Sequence, residues 1–209
     1  MTPAQFNEYQ RQADVLDEAK KWREENSLSK FYNQLDPKSD KGTDHDYING
    51  YYDAEFTPKK DKSITLMEIG VLNGESINLW NKYFENAKEI YGVDINITNQ
   101  AIATVNPTDE IVLERADAYS DDYVNKFLND GFDYIIDDGP HTLESQLSFI
   151  ELYYPKIKKG GKLIIEDIQS KSDLDAIEER LKELKYKYKI FDLTANKGRY
   201  DDIIIEITK

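Results

Sequence analysis

The chain is predicted to be an α/β protein: a mostly parallel seven-stranded sheet with helices on both faces and a C-terminal antiparallel hairpin. Two observations predict this. Short apolar runs alternate with segments of helical period from Ile64 to Lys187, the pattern of repeated βα units, whose crossover connections make neighbouring strands parallel. The last two apolar runs, Tyr188–Leu193 and Asp202–Ile207, are joined instead by a polar turn through Asn196 and Gly198, and so pair antiparallel.

Residues 1 to about 30 are charged, with Phe6, Tyr9, Ala13, Leu16, Ala19 and Trp22 at spacings of three and four. They read as an amphipathic helix that packs on the domain or on another subunit. Phe31 to Tyr52 contains Pro37 and Gly42 and reads as a polar, lid-like loop followed by a short helix through Tyr47 and Tyr51. Residues 1–60 are thus expected to pack as an N-terminal segment on a core domain of residues 61–209, forming one compact domain overall. In that core the expected strands are Ile64–Ile69, Glu89–Asp94, Ile111–Arg115, Phe132–Asp137 and Lys162–Glu166, the last introduced by a Gly160-Gly161 turn. The helices that follow them are Ser76–Asn86, Ile97–Val105, Asp121–Leu128, Leu143–Tyr154 and Leu174–Lys187.

With 209 residues and a formal charge of −14, the composition disfavours a phosphate-backbone ligand, hence nucleic acid. There is no cysteine, so disulfides and thiolate metal sites are excluded. The polar start and the lack of a run near the roughly 20 apolar residues of a membrane span point to a cytoplasmic protein with no membrane partner.

The first strand runs into Glu68-Ile-Gly-Val-Leu-Asn-Gly-Glu-Ser76, a glycine turn leading into a helix. Such a turn lets backbone approach a ligand closely and presents helix N–H groups to it. Its Gly-x-x-x-Gly spacing differs from the fingerprint of nicotinamide dehydrogenases. Asp94 ends the second strand about 20 residues on, where a carboxylate accepts hydrogen bonds from ribose hydroxyls, and Asp117-Ala118 follows the third, where an adenine amino group would lie. No triphosphate-binding loop is present. Asp137-Asp138 and Glu166-Asp167 end the fourth and fifth strands. Strand ends ~5 Å apart bring such carboxylates together, and crowded like charge calls for a cation, with Mg²⁺, Ca²⁺ or Mn²⁺ suited to oxygen ligands. His141, three residues after Asp138, is a candidate general base, and His45 a weaker one.

Met67-Glu-Ile-Gly-Val-x-x-Gly-x-Ser76 followed by Ile90-Tyr-Gly-Val-Asp94 resembles the cofactor motif and ribose acid of Rossmann-like class I S-adenosylmethionine-dependent methyltransferases. Ser39-Asp-Lys-Gly-Thr-Asp-His-Asp-Tyr47, Asp137-Asp-Gly-Pro-His141, Lys158-Lys-Gly-Gly161 and Ile164-Ile-Glu-Asp167 are similar, more narrowly, to the macrocin and mycinamicin sugar O-methyltransferases. The resemblance covers about residues 36–207. It implies S-adenosyl-L-methionine held by Lys41, Gly42, Glu68, Gly70, Asn73, Ser76, Asp94, Asp117, Ala118 and Asp137. It further implies Mg²⁺ on Asp138, Glu166 and Asp167, with His141 and Asp138 catalytic and the Ser39–Tyr47 loop closing over the site. The expected reaction is O-methylation of a sugar or other small hydroxylated molecule. Alternatives are a catechol-like diol acceptor, or a non-catalytic cofactor-binding module acting through its N-terminal helix, whose apolar face would also suit a homo-oligomer contact.

Overall fold

A computed structural model describes residues 3–127 and 129–209. One seven-stranded sheet organises the chain, in the order β3-β2-β1-β4-β5-β7-β6. The strands are β1 (Thr65–Ile69), β2 (Glu89–Asp94), β3 (Ile111–Arg115), β4 (Phe132–Asp137), β5 (Ile157–Ile165), β6 (Lys187–Asp192) and β7 (Ile203–Thr208). The β1 to β5 pairings are parallel, and β7 is antiparallel to both β5 and β6. This is the predicted architecture.

The α-helices of the described residues are α1 (Pro3–Asn26), α2 (Leu28–Tyr32), α3 (Asp40–Thr43), α4 (Asp53–Phe56), α5 (Glu75–Tyr83), α6 (Asn99–Val105), α7 (Asp121–Val124), α8 (Leu143–Tyr153), α9 (Lys171–Leu184) and α10 (Thr194–Lys197). Helix starts follow local chemistry. Thr98, Ser120, Thr142 and Ser170 each accept a hydrogen bond from a backbone N–H of the first turn of α6, α7, α8 and α9. None of the described helices is long and apolar enough to cross a membrane.

Successive strand residues point to opposite faces, so strands buried on both sides are apolar throughout. Leu66, Tyr134, Ile136 and Ile204 pack in one core with α5 and residues 28–56, whereas Met67, Ile69, Ile135 and Ile205 pack in the other with α8 and α9.

Four expectations are corrected. Residues 31–52 include the short helix expected through Tyr47 and Tyr51, but the stretch before it is not simply a loop over the domain. They form short helical turns, including a π-turn at Ile48–Tyr52, and bury Tyr32, Tyr47, Ile48, Tyr51 and Tyr52 in the first core. For α1, expected against the domain or another subunit, the described residues do not pack their apolar face along the domain: Val15, Leu16 and Trp22 are exposed, and the helix is tied at its end, where the Tyr83 hydroxyl donates to the Asn26 carbonyl at 2.8 Å. The side chains of Phe6, Tyr9 and Ala13 lie outside the described residues. Gly160-Gly161 does not precede a strand but lies inside β5, where the pairing with β4 slips between Phe132 and Tyr134; Gly160 supplies the φ of +80° that such an irregularity uses. Finally, α7 ends at Val124, short of its predicted end, Leu128, which lies outside the described residues.

Candidate active site

The chain runs outward from β1 to β3 on one side and from β4 through β5 to the edge strand β6 on the other, with β7 returning between β5 and β6, so a crevice opens between the carboxyl ends of β1 and β4. A cleft of about 970 Å³ occupies it. Gly70, Asn73, Ser76, Asp94, Asp117 and Ala118 line one part, and Asp138, His141 and Asp167 another.

The backbone brings these parts together through Gly70. It has a φ of +95°, and a Cβ there would collide with the Asp138 carbonyl oxygen. The β1 and β4 ends are also joined by the Asp138 N–H donating to the Ile69 carbonyl at 2.9 Å. Gly70→Ala therefore meets both strain and backbone overlap, and is expected to cost about 2–4 kcal/mol of stability, read by urea unfolding.

Asp94 closes the glycine turn. Its Oδ2 accepts from the Val71 N–H at 2.9 Å and its Oδ1 from the Asn96 N–H at 2.9 Å. Asp117 is exposed to the cleft, with Oδ1 accepting from the Tyr119 N–H at 3.0 Å.

Four other predicted cofactor contacts do not line the cleft. Glu68 is fully buried and accepts from Ser76 Oγ at 2.6 Å and from the Trp80 indole N–H, which fastens α5 to β1. Gly42 packs on the Tyr32 ring and offers its carbonyl to Lys197. Asp137 accepts from the Tyr119 hydroxyl; burial pushes its carboxyl up to about 6, against that hydrogen bond. Lys41 lies beneath the cleft, 1% exposed, donating to Asp138 Oδ2 at 2.7 Å and to Glu166.

The second part is a set of carboxylates around two imidazoles. His141 Nε2 lies 3.8 Å from Asp138 Oδ1 and 3.6 Å from Asp167 Oδ2. Both His141 (φ +54°) and Asp167 (φ +56°) adopt the left-handed conformation that L residues avoid, which marks backbone held in place by its surroundings. Burial lowers the His141 pKa, with Asp167 opposing, and leaves the imidazole neutral near pH 7, the form that accepts a proton. Burial raises Asp138 and Glu166, while Lys41 pulls them back down. Glu166, predicted beside Asp167, turns away from the cleft to Lys41 and the Tyr52 hydroxyl.

Sequence reasoning undervalued the next shell. His45 lines the cleft, stacks on Tyr47 at 4.7 Å, and places Nδ1 2.7 Å from Asp202 Oδ1 and 3.4 Å from Asp167 Oδ1. The Tyr47 hydroxyl also donates to Asp167, and burial keeps that phenol protonated. Asp201 and Asp202 escaped notice because they precede a strand. That strand, β7, runs antiparallel, so its beginning lies at the edge where the parallel strands end, with Ile205 beside Ile165. The Asp-Asp pair before Ile203 was the available signal.

Residues 67–168 match the family model described as a methyltransferase domain. The L-olivosyl-oleandolide 3-O-methyltransferase of Streptomyces antibioticus is 28% identical over 141 residues, 62% of this chain and 34% of that protein. The demethylmacrocin O-methyltransferase of Streptomyces fradiae is 29% identical over 136 residues, 58% of this chain and 32% of that protein. The chain thus spans about a third of the length of these relatives. The mycinamicin-pathway methyltransferase MycE, solved with Mg, S-adenosylhomocysteine and mycinamicin VI, shares the fold at a TM-score of 0.64 and 18% identity, covering 87% of this chain and 53% of that one. Strand order, glycine turn and family match agree: residues 67–168 match a methyltransferase domain, the chain shares its fold with MycE, and it is similar to the macrocin and mycinamicin sugar O-methyltransferases.

Proposed function

We propose that this protein methylates a hydroxyl of a sugar or other small molecule, using S-adenosylmethionine and a divalent metal ion. The observation that carries this reading is His141, held on a left-handed backbone beside Asp138 and Asp167 in the same cleft as the Gly70–Ser76 turn and Asp94. A cofactor-binding module has no use for a neutral imidazole fixed between two carboxylates.

The residues fit both groups. Asp138, His141 and Asp167 offer ligand atoms within 4.8 Å of one another, and among the described residues Lys41 is the buried lysine paired with the crowded carboxylates. Oxygen donors of this kind suit Mg²⁺, with Asp138 and Asp167 holding it. Bound there, the ion would polarise the acceptor oxygen. Asp94 is placed to accept the ribose hydroxyls, and the Asp117-Ala118 wall to meet the adenine. His141 takes the acceptor's proton at Nε2 as the methyl group leaves sulfur for oxygen. The cleft walls hold the two reactants in line, which removes an entropic cost of encounter.

Titration calorimetry with S-adenosylhomocysteine tests the cofactor site. Wild type should bind saturably, and Asp94→Asn should weaken binding about ten- to a hundred-fold, the worth of charge-assisted hydrogen bonds to two hydroxyls. A folded wild type that does not bind refutes the methyltransferase reading.

A further inference from the structure

The Ser39–Tyr47 segment delivers a cation into the carboxylate cluster from behind. Lys41 is held by its own short helix α3, capped by Ser39, and its side chain reaches the ends of three strands. Its Nζ donates to Asp138 Oδ2 at 2.7 Å and to Glu166 Oε2, and lies 3.5 Å from Glu68 Oε1. Its ammonium thus forms ion pairs with three buried or half-buried carboxylates at once.

These contacts separate carboxylates that the sequence groups together. Glu166 is fully buried, with Oε2 on Lys41 and Oε1 on the Tyr52 hydroxyl, so both its oxygens are engaged by buried donors. Asp138 gives only Oδ2 to Lys41 and keeps Oδ1 toward His141. Asp167 likewise turns Oδ2 toward His141 while Tyr47 holds Oδ1. Only Asp138 and Asp167 of the three line the cleft.

We propose that Lys41 is a positioning residue: it withdraws Glu166 from the metal and confines a divalent cation to the outer edge formed by Asp138 and Asp167 beside His141. This rests on the metal reading given above. An ammonium and a divalent cation repel strongly at short range in a low-dielectric interior, so the carboxylate that Lys41 occupies is closed to the metal. The lysine of the N-terminal motif thereby sets which carboxylates remain as ligands, a role distinct from contact with the cofactor.

Mn²⁺ binding, measured by calorimetry without substrate, tests it on wild type, Glu166→Gln, Asp138→Asn and Lys41→Met. Glu166→Gln, isosteric and less charged, should bind with a dissociation constant within about threefold of wild type, while Asp138→Asn should lose about tenfold or more. Lys41→Met, shown folded by circular dichroism, should bind about tenfold more tightly, because removing the cation frees Glu166 and deepens the negative potential. A merely structural lysine would not tighten metal binding when removed. A tenfold loss in Glu166→Gln, or unchanged or weaker binding in folded Lys41→Met, overturns the proposal; should Lys41→Met not fold, Glu166→Gln decides. If wild type binds no Mn²⁺, the metal reading itself fails, and this inference fails with it.

Discussion

His141→Asn is expected to lower kcat about a hundred- to ten-thousand-fold, the range over which a positioned general base contributes. Affinity for S-adenosylhomocysteine should stay within about twofold of wild type, because the imidazole stands beside Asp138 and Asp167 and its expected role is in the chemical step. Asparagine is the informative replacement. At φ +54° an alanine pays roughly 1–2 kcal/mol for the left-handed backbone, whereas asparagine tolerates it. A loss of rate in the asparagine variant therefore reports chemistry rather than a displaced loop. Stopped-assay turnover with a panel of sugar acceptors, alongside calorimetry, gives both quantities. Turnover within about threefold of wild type would remove His141 from the role of base.

Asp167→Asn should be as damaging by a different route. The carboxylate meets His141 on one oxygen and Tyr47 and His45 on the other, and it lines the cleft as one of the two ligands of the proposed metal ion. Its neutral isostere is expected to weaken Mn²⁺ binding and to cut turnover about a hundredfold or more, since loss of a charge aimed at the reacting oxygens removes several kcal/mol of transition-state stabilisation. A chelator added to wild type should reproduce the loss of turnover, and excess Mg²⁺ should restore it. The melting temperature of Asp167→Asn should hold or rise, because one of several crowded like charges is gone and asparagine accepts the φ of +56°. Full activity together with full metal affinity would exclude Asp167 as a ligand.

Much of the fold was legible because it rests on local signals. Short continuous apolar runs, glycine turns and Ser or Thr caps each act within a few residues, and they place β1 to β4 to within a residue. The acids and His141 at the edge were legible for the same reason, each standing at the end of a strand or within four residues after it. Gly160-Gly161 misled because a glycine pair marks a turn and a bulge equally well, and only the pairing with β4 distinguishes them. The helical period of α1 was real, yet period alone does not say what covers a face, and Leu16 and Trp22 are exposed.

Residues 31–52 show where sequence reasoning ran out. Their charges, proline and glycine read as a loop over the site, but a polar side chain is buried wherever a partner of opposite character awaits it. Lys41 meets Asp138 and Glu166, Tyr47 meets Asp167, and Tyr52 meets Glu166, at sequence separations of 97, 125, 120 and 114. The sequence by itself determined the sheet, the glycine turn and the supply of acids at its edge, since these follow from periodicity and chain direction. Only the tertiary structure decided which acids face the cleft and which are neutralised from behind, because hydrogen bonds between distant residues leave no period in the chain.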